Sequence, residues 1–163
     1  MKPAYSDIAP VTGGLVSGIC AVKIIPREWI AEEIKIDFGT NKVLSQAVLF
    51  PNKNWLKLQL VESSYEFDEK PKSNKGGNYY ETSLSGTSND LSADLLQVLE
   101  TLRYSEFVVI AMDRQKRYRI IGNQDAGMVM QITNKQTNNQ GGNQVITIDF
   151  TIQTETLSPF FEA

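Results

Sequence analysis

The segment Val145-Ile146-Thr147-Ile148-Asp149-Phe150-Thr151-Ile152-Gln153 carries large apolar side chains at its even positions and mostly polar ones at the odd. A period of two marks a half-buried β-strand, with the even residues facing a core. Upstream, Leu91, Leu95, Val98, Leu99 and Leu102 fall on one face of a helix running to about Arg103, with Ser92, Asp94, Gln97, Glu100 and Arg103 opposite. Gly86 to Asp90 supplies the helix N-cap. A sheet and one helix are therefore expected to share a core.

The rest of the chain extends that sheet. Phe107 to Met112 is continuously apolar, as in a central strand covered on both faces. Asp113-Arg114-Gln115-Lys116 turns it into Arg117 to Ile121, a hairpin, and Met128 to Thr133 is expected to pair with Val145 to Gln153. Tyr79 to Ser85 is another strand. Earlier in the chain, Leu15 to Ile25 alternates Val16, Cys20, Val22 and Ile24 against Ser17 and Lys23, with Gly18 as a bulge and Pro26 as its end. Trp29 to Phe38, Gln46 to Phe50 and Asn54 to Glu62 follow as further strands, with a helical turn at Ala31-Glu32-Glu33 as the alternative inside the first.

Two polar stretches, 63–78 and 134–144, read as long exposed loops, because Asp68 to Gly77 holds no apolar residue. Met1 to Thr12, with Pro3 and Pro10, reads as an extended arm. Pro159-Phe160-Phe161 is too apolar for a free tail and is expected to dock. The fold class is mainly β, an antiparallel barrel or sandwich with one flanking α-helix over 90–103. Residues 13–163 form a single domain.

The chain has 163 residues, 41% hydrophobic and 21% charged, with a net charge of −3. That suits one globular core without staples and offers no basic footprint for duplex binding. No apolar run reaches the roughly 18 to 20 residues of a membrane helix, and Met1 to Pro10 lacks a signal-peptide pattern. A soluble protein made in the cytoplasm, with no membrane anchor, is expected.

There is no histidine and one cysteine, Cys20. This excludes serine–histidine and cysteine–histidine catalysis, histidine-ligated zinc and thiolate cages. Carboxylate pairs remain: Glu66 with Asp68, Glu32 with Glu33, or Asp149 with a neighbour across the sheet. Each of these reads more simply as solvated surface. Gly13 to Gly18 lacks the Gly-Lys-Ser/Thr ending of a phosphate loop. Trp55, Tyr65, Tyr79 and Tyr80 form a candidate aromatic platform for sugars or bases, with cross-strand packing as the plainer reading. No cofactor and no catalysis are expected.

The order Asn54-Trp55-Leu56-Lys57-Leu58, Phe67-Asp68-Glu69-Lys70-Pro71-Lys72, Gly76-Gly77-Asn78-Tyr79-Tyr80-Glu81, then the helix, Phe107-Val108-Val109 and Tyr118-Arg119-Ile120-Ile121-Gly122 resembles small structural proteins of bacteriophage and prophage tail modules. Ile148 to Ile152 and Pro159-Phe160-Phe161 continue the likeness, which covers residues 50–161. The resemblance implies a tail-tube or neck-ring subunit, a homo-oligomer assembling around a DNA conduit in the virion. Its partners would be other tail or neck proteins, with DNA only as transiting cargo. The subunit-contact residues it implies are Asp68, Glu69, Lys70, Lys72 and Lys75 in one loop, Asn134, Lys135, Asn138 and Asn139 in the other, and Phe160 and Phe161. A monomeric carbohydrate-binding β module using Tyr79, Tyr80 and Trp55 is the alternative expectation.

Overall fold

The structure is a computed structural model and describes residues 18–37, 42–58, 60–88, 93–135, 145–155 and 160–162. The expected arm over 1–12 lies outside them. The strands, in chain order, are β1 (Ile19–Pro26), β2 (Ile30–Glu32), β3 (Lys35–Asp37), β4 (Lys42–Ser45), β5 (Val48–Leu49), β6 (Leu56–Leu58), β7 (Glu66–Asn74), β8 (Gly77–Ser88), β9 (Glu106–Asp113), β10 (Arg117–Ile121), β11 (Met128–Lys135), β12 (Val145–Thr154) and β13 (Phe160–Glu162). One helix, α1 (Ala93–Leu102), separates β8 from β9. The protein is thus mainly antiparallel β with one short helix, as its alternation predicts.

Nine strands form one sheet in the order β13-β10-β9-β11-β12-β8-β7, with β1 pairing both β9 and β6. It folds over into two layers. β1 occupies one edge of β9 from Phe107 to Asp113, so β10 and β11 must share the other, through Ile121↔Val109 and Met128↔Phe107. Residues 122–127 bulge out between them, and the chain passes from one layer to the other at this corner. Opposite the corner, the Val61 amide donates to the Thr87 carbonyl at 2.8 Å, tying the segment after β6 to β8.

The corner is built by small residues and short side chains. Asn123 Oδ1 accepts from the Asp125 and Ala126 amides at 2.9 and 2.8 Å, an Asx-type turn. Gly127 packs so tightly on β9 that a Cβ there would lie 2.9 Å from the Phe107 amide nitrogen. Arg27 Nη1 donates to the Asp125 carbonyl at 2.7 Å while its Nε pairs with Glu106 at 3.0 Å.

The layers enclose a core in which Val22, Ile24, Leu58, Leu84, Phe107, Val109, Met128, Met130, Ile146, Ile148 and Phe150 are buried. Every even position of β12 from Ile146 to Ile152 is buried, as the alternation requires. α1 adds Leu99 and Leu102, but Val98, expected on the apolar face, is 45% exposed. It sits beside Leu99 in sequence and so is rotated about 100° away.

A second cluster explains the apolar runs in β1 and β9. Ile25, Val108 and Ile120 point out of the first core into a smaller one with Ile30, against which Trp29, Leu49 and Trp55 pack. β9 is therefore central and covered on both faces, as expected. The strand expected over Trp29 to Phe38 is split into β2 and β3, after a 3₁₀ turn at Arg27–Trp29.

The long loop expected over 63–78 is corrected. After a 3₁₀ turn at Glu62–Ser64, β7 pairs with β8 through nine residues, Glu66↔Ser85 to Asn74↔Gly77. Backbone hydrogen bonding to β8 needs no apolar side chain, so a strand at the sheet edge carries no hydrophobic period. For the second expected loop, 134–144, Asn134 and Lys135 are the last residues of β11, and 136–144 lie outside the described residues. No helix among the described residues is long and apolar enough to cross a membrane.

Candidate functional site

Among the described residues, the β7–β8 hairpin projects beyond its neighbour β12. β12 pairs with β8 only as far as Thr154↔Tyr80, so three further pairs, Lys72↔Tyr79, Ser73↔Asn78 and Asn74↔Gly77, project past it. At the tip Asn74 Oδ1 accepts from the Gly76 amide at 2.7 Å, and Gly77 takes a φ of 126°, which L side chains rarely adopt. Residues Lys70 to Asn78 are all exposed.

Five expected contact residues, Asp68, Glu69, Lys70, Lys72 and Lys75, thus lie on one hairpin, but they do not share one environment. Asp68, Lys70 and Lys75 are exposed, and Lys72 pairs with Glu81 across the ladder at 3.4 Å. Glu69 turns inward, its side chain 6% exposed, and meets Arg119 Nη1 at 3.2 Å. It is a structural anchor rather than an outward contact. Asn134 and Lys135 pair by backbone with Ile146 and Val145, while Asn138 and Asn139 lie outside the described residues. Phe160 and Phe161 are held by the pairing of β13 with Arg119 and Tyr118 on β10, so the apolar terminus docks on its own chain.

Around Glu69 the inner face of the sheet turns polar. Arg119 lies over the Phe67 ring at 5.0 Å, and Arg117 Nε pairs with Asp113 Oδ2 at 2.8 Å. Burial alone would raise the Asp113 carboxyl; the Arg117 amide and guanidinium and the Gln115 amide together outweigh it and hold the group below its ordinary value. The cavity among Ile19, Phe67, Ala111, Asp113, Arg117 and Arg119 measures about 40 Å³, room for water rather than a ligand. Burial likewise pushes the Tyr65 phenol up; its hydroxyl donates to the Leu58 carbonyl at 3.2 Å.

A wider, open groove of about 290 Å³ lies between α1 and β11, lined by Glu100, Arg103, Tyr104, Met130 and Ile132. Tyr104 is 84% exposed, with the Arg103 guanidinium stacked over its ring at 4.5 Å and Glu100 pairing with Arg103 at 2.7 Å.

The structure does not assemble the aromatic platform. Tyr79 and Tyr80 are consecutive in β8 and point to opposite faces, Trp55 packs into the outer cluster and Tyr65 against the main core. The carboxylates do share a surface. Glu66 and Asp149 lie in one row of the outer face, Asp149↔Ser85↔Glu66, with Asp68 two residues along β7. That row stands on open sheet and not in a cleft. The sequence singles out Glu66 with Asp68, and Asp149 with a neighbour, but not the three together, because the register that lines up β7, β8 and β12 cannot be read from one strand. Comparisons with family models, curated proteins and solved structures found no match.

Proposed function

We propose that the protein is a virion structural subunit of a phage tail or neck that assembles with copies of itself into rings or a tube around the DNA conduit, acting without catalysis. The observation that carries this reading is the β7–β8 arm. Three of its ladder pairs extend past the last β12 partner, and Asp68, Lys70, Lys72 and Lys75 stand in solvent. Ordering such a projection costs about 1 to 2 kcal/mol per residue in backbone entropy, while burying little apolar surface of its own. A contact with another subunit would offset that cost. The sequence likeness to tail-module proteins points the same way, and other tail or neck proteins would complete the assembly.

Light-scattering mass across a concentration series, with negative-stain imaging of large species, tests the reading. Rings or tubes are expected. A protein that stays monomeric at every concentration overturns self-assembly.

A further inference from the structure

The outer surface carries two small patches of opposite charge on different strand pairs. Lys23 of β1 and Lys57 of β6 are directly opposed across the ladder, both exposed. Neither has an acidic partner among the described residues. Like charges facing each other across a strand pair work against the sheet that holds them. On the other layer, Glu66, Asp68 and Asp149 project from the outer face and form no ion pair among the described residues; Lys70 and Lys72 follow Asp68 along the same face, toward the hairpin tip, where Lys72 pairs with Glu81. Their neighbours Ser83, Ser85 and Thr147 are short, so the carboxylates stand above a low floor.

Both patches face outward from one core. Val22, Ile24 and Leu58, which alternate with the lysines, and Leu84, Ile148 and Phe150, which alternate with the outward side chains of β8 and β12, all enter one core. The two patches are therefore separate parts of the outer surface. A patch that complements a different patch on a second copy makes a head-to-tail contact, which closes into a ring when the rotation allows.

We infer that the Lys23–Lys57 face of one subunit docks on the Glu66–Asp68–Asp149 face of the next, the occupant of each being a second copy of this chain. The spacings agree. Residues two apart on a strand lie about 6.7 Å apart, and two strand steps separate Asp149 from Glu66 by roughly 9.5 Å. Two lysines about 5 Å apart at Cβ, on flexible four-carbon stems, can reach two carboxylates at either spacing. The inference rests on the assembly reading and specifies which faces meet.

Charge reversal tests it. Lys23→Glu/Lys57→Glu and, separately, Glu66→Lys/Asp68→Lys alter only exposed side chains, so each variant should melt close to the wild-type temperature. Each alone should lower the association constant by about a hundredfold in light scattering. The fourfold variant combining both reversals should recover assembly because every interface is then swapped, and an equimolar mixture of the two double variants should recover it because swapped and native contacts alternate, both complementary. Wild-type association should weaken as salt rises from low to physiological strength. If wild type assembles but the reversals leave its mass distribution unchanged, this interface is wrong while the assembly reading stands. Assembly lost in both double variants and not regained in the fourfold variant also overturns the pairing. A wild-type protein that is monomeric throughout removes both.

Discussion

Phe107 and Phe150 meet edge to face across the core, their ring centroids 5.8 Å apart and their planes inclined by 81°. They come from β9 and β12, which are separated in the sheet by β11. The contact thus links the strand at the corner to the middle of the second layer.

Truncating either ring should be among the costlier single changes. Phe150→Ala is expected to destabilise by about 3 to 5 kcal/mol, since it removes a fully buried side chain from a site bounded by fixed strands. A double-mutant cycle with Phe107→Ala should show coupling of about 0.5 to 1.5 kcal/mol. Denaturant melts supply both numbers, and strict additivity would mean that the edge-to-face geometry contributes nothing.

On β12, Ile148→Asp places a charge where the side chain is fully buried, and a loss of several kcal/mol is expected. The outward neighbour Thr147→Asp should change stability by less than about 1 kcal/mol. Similar melting temperatures for the two variants would contradict the assigned inner face.

Gly127→Ala should cost about 1 to 3 kcal/mol by overpacking, because the new Cβ would press on the backbone of Glu106 and Phe107, which cannot swing aside as a side chain can. Thermal unfolding of the variant, with Gly76→Ala at the exposed hairpin tip as its control, is the direct check.

Asp113 is expected to contribute to the acid limb of stability. Its carboxyl lies below the ordinary value when folded, so the unfolded chain binds the proton first as pH falls. Its stabilising contribution is complete above the unfolded pKa, near 3.9, and disappears as pH drops through the lower folded value. Asp113→Asn should flatten the stability profile below about pH 4 and leave the slope between pH 6 and 8 unchanged. An unaltered acid limb would show that another carboxylate dominates there.

Replacing Ser73 to Asn78 with Asn-Gly should shorten the arm while keeping the Lys72↔Tyr79 pair as its closing rung. The melting temperature should move little, because no buried residue is removed. Assembly should weaken. A marked loss of stability would mean that the tip braces the fold.

What could be read from the chain follows where a side chain had to be apolar. β12 shows its period because one face is core and the other solvent, and β9 shows a continuous run because Phe107 and Val109 enter one cluster while Val108 enters another. β7 left no such trace, since Phe67 and Glu69 are its only inward side chains along the stretch from Glu66 to Lys70, and one of them is a carboxylate satisfied by Arg119. The charged faces were hidden for a different reason. Lys23 and Lys57 are 34 positions apart, and only the register of β1 on β6 puts them side by side.

Pro71 sits in the middle of the β7 edge, where it can donate no hydrogen bond to an incoming strand. A growing stack of chains added rung by rung would stop there. Under the proposed assembly, copies would then meet through side chains that salt loosens, and a misplaced one could leave again.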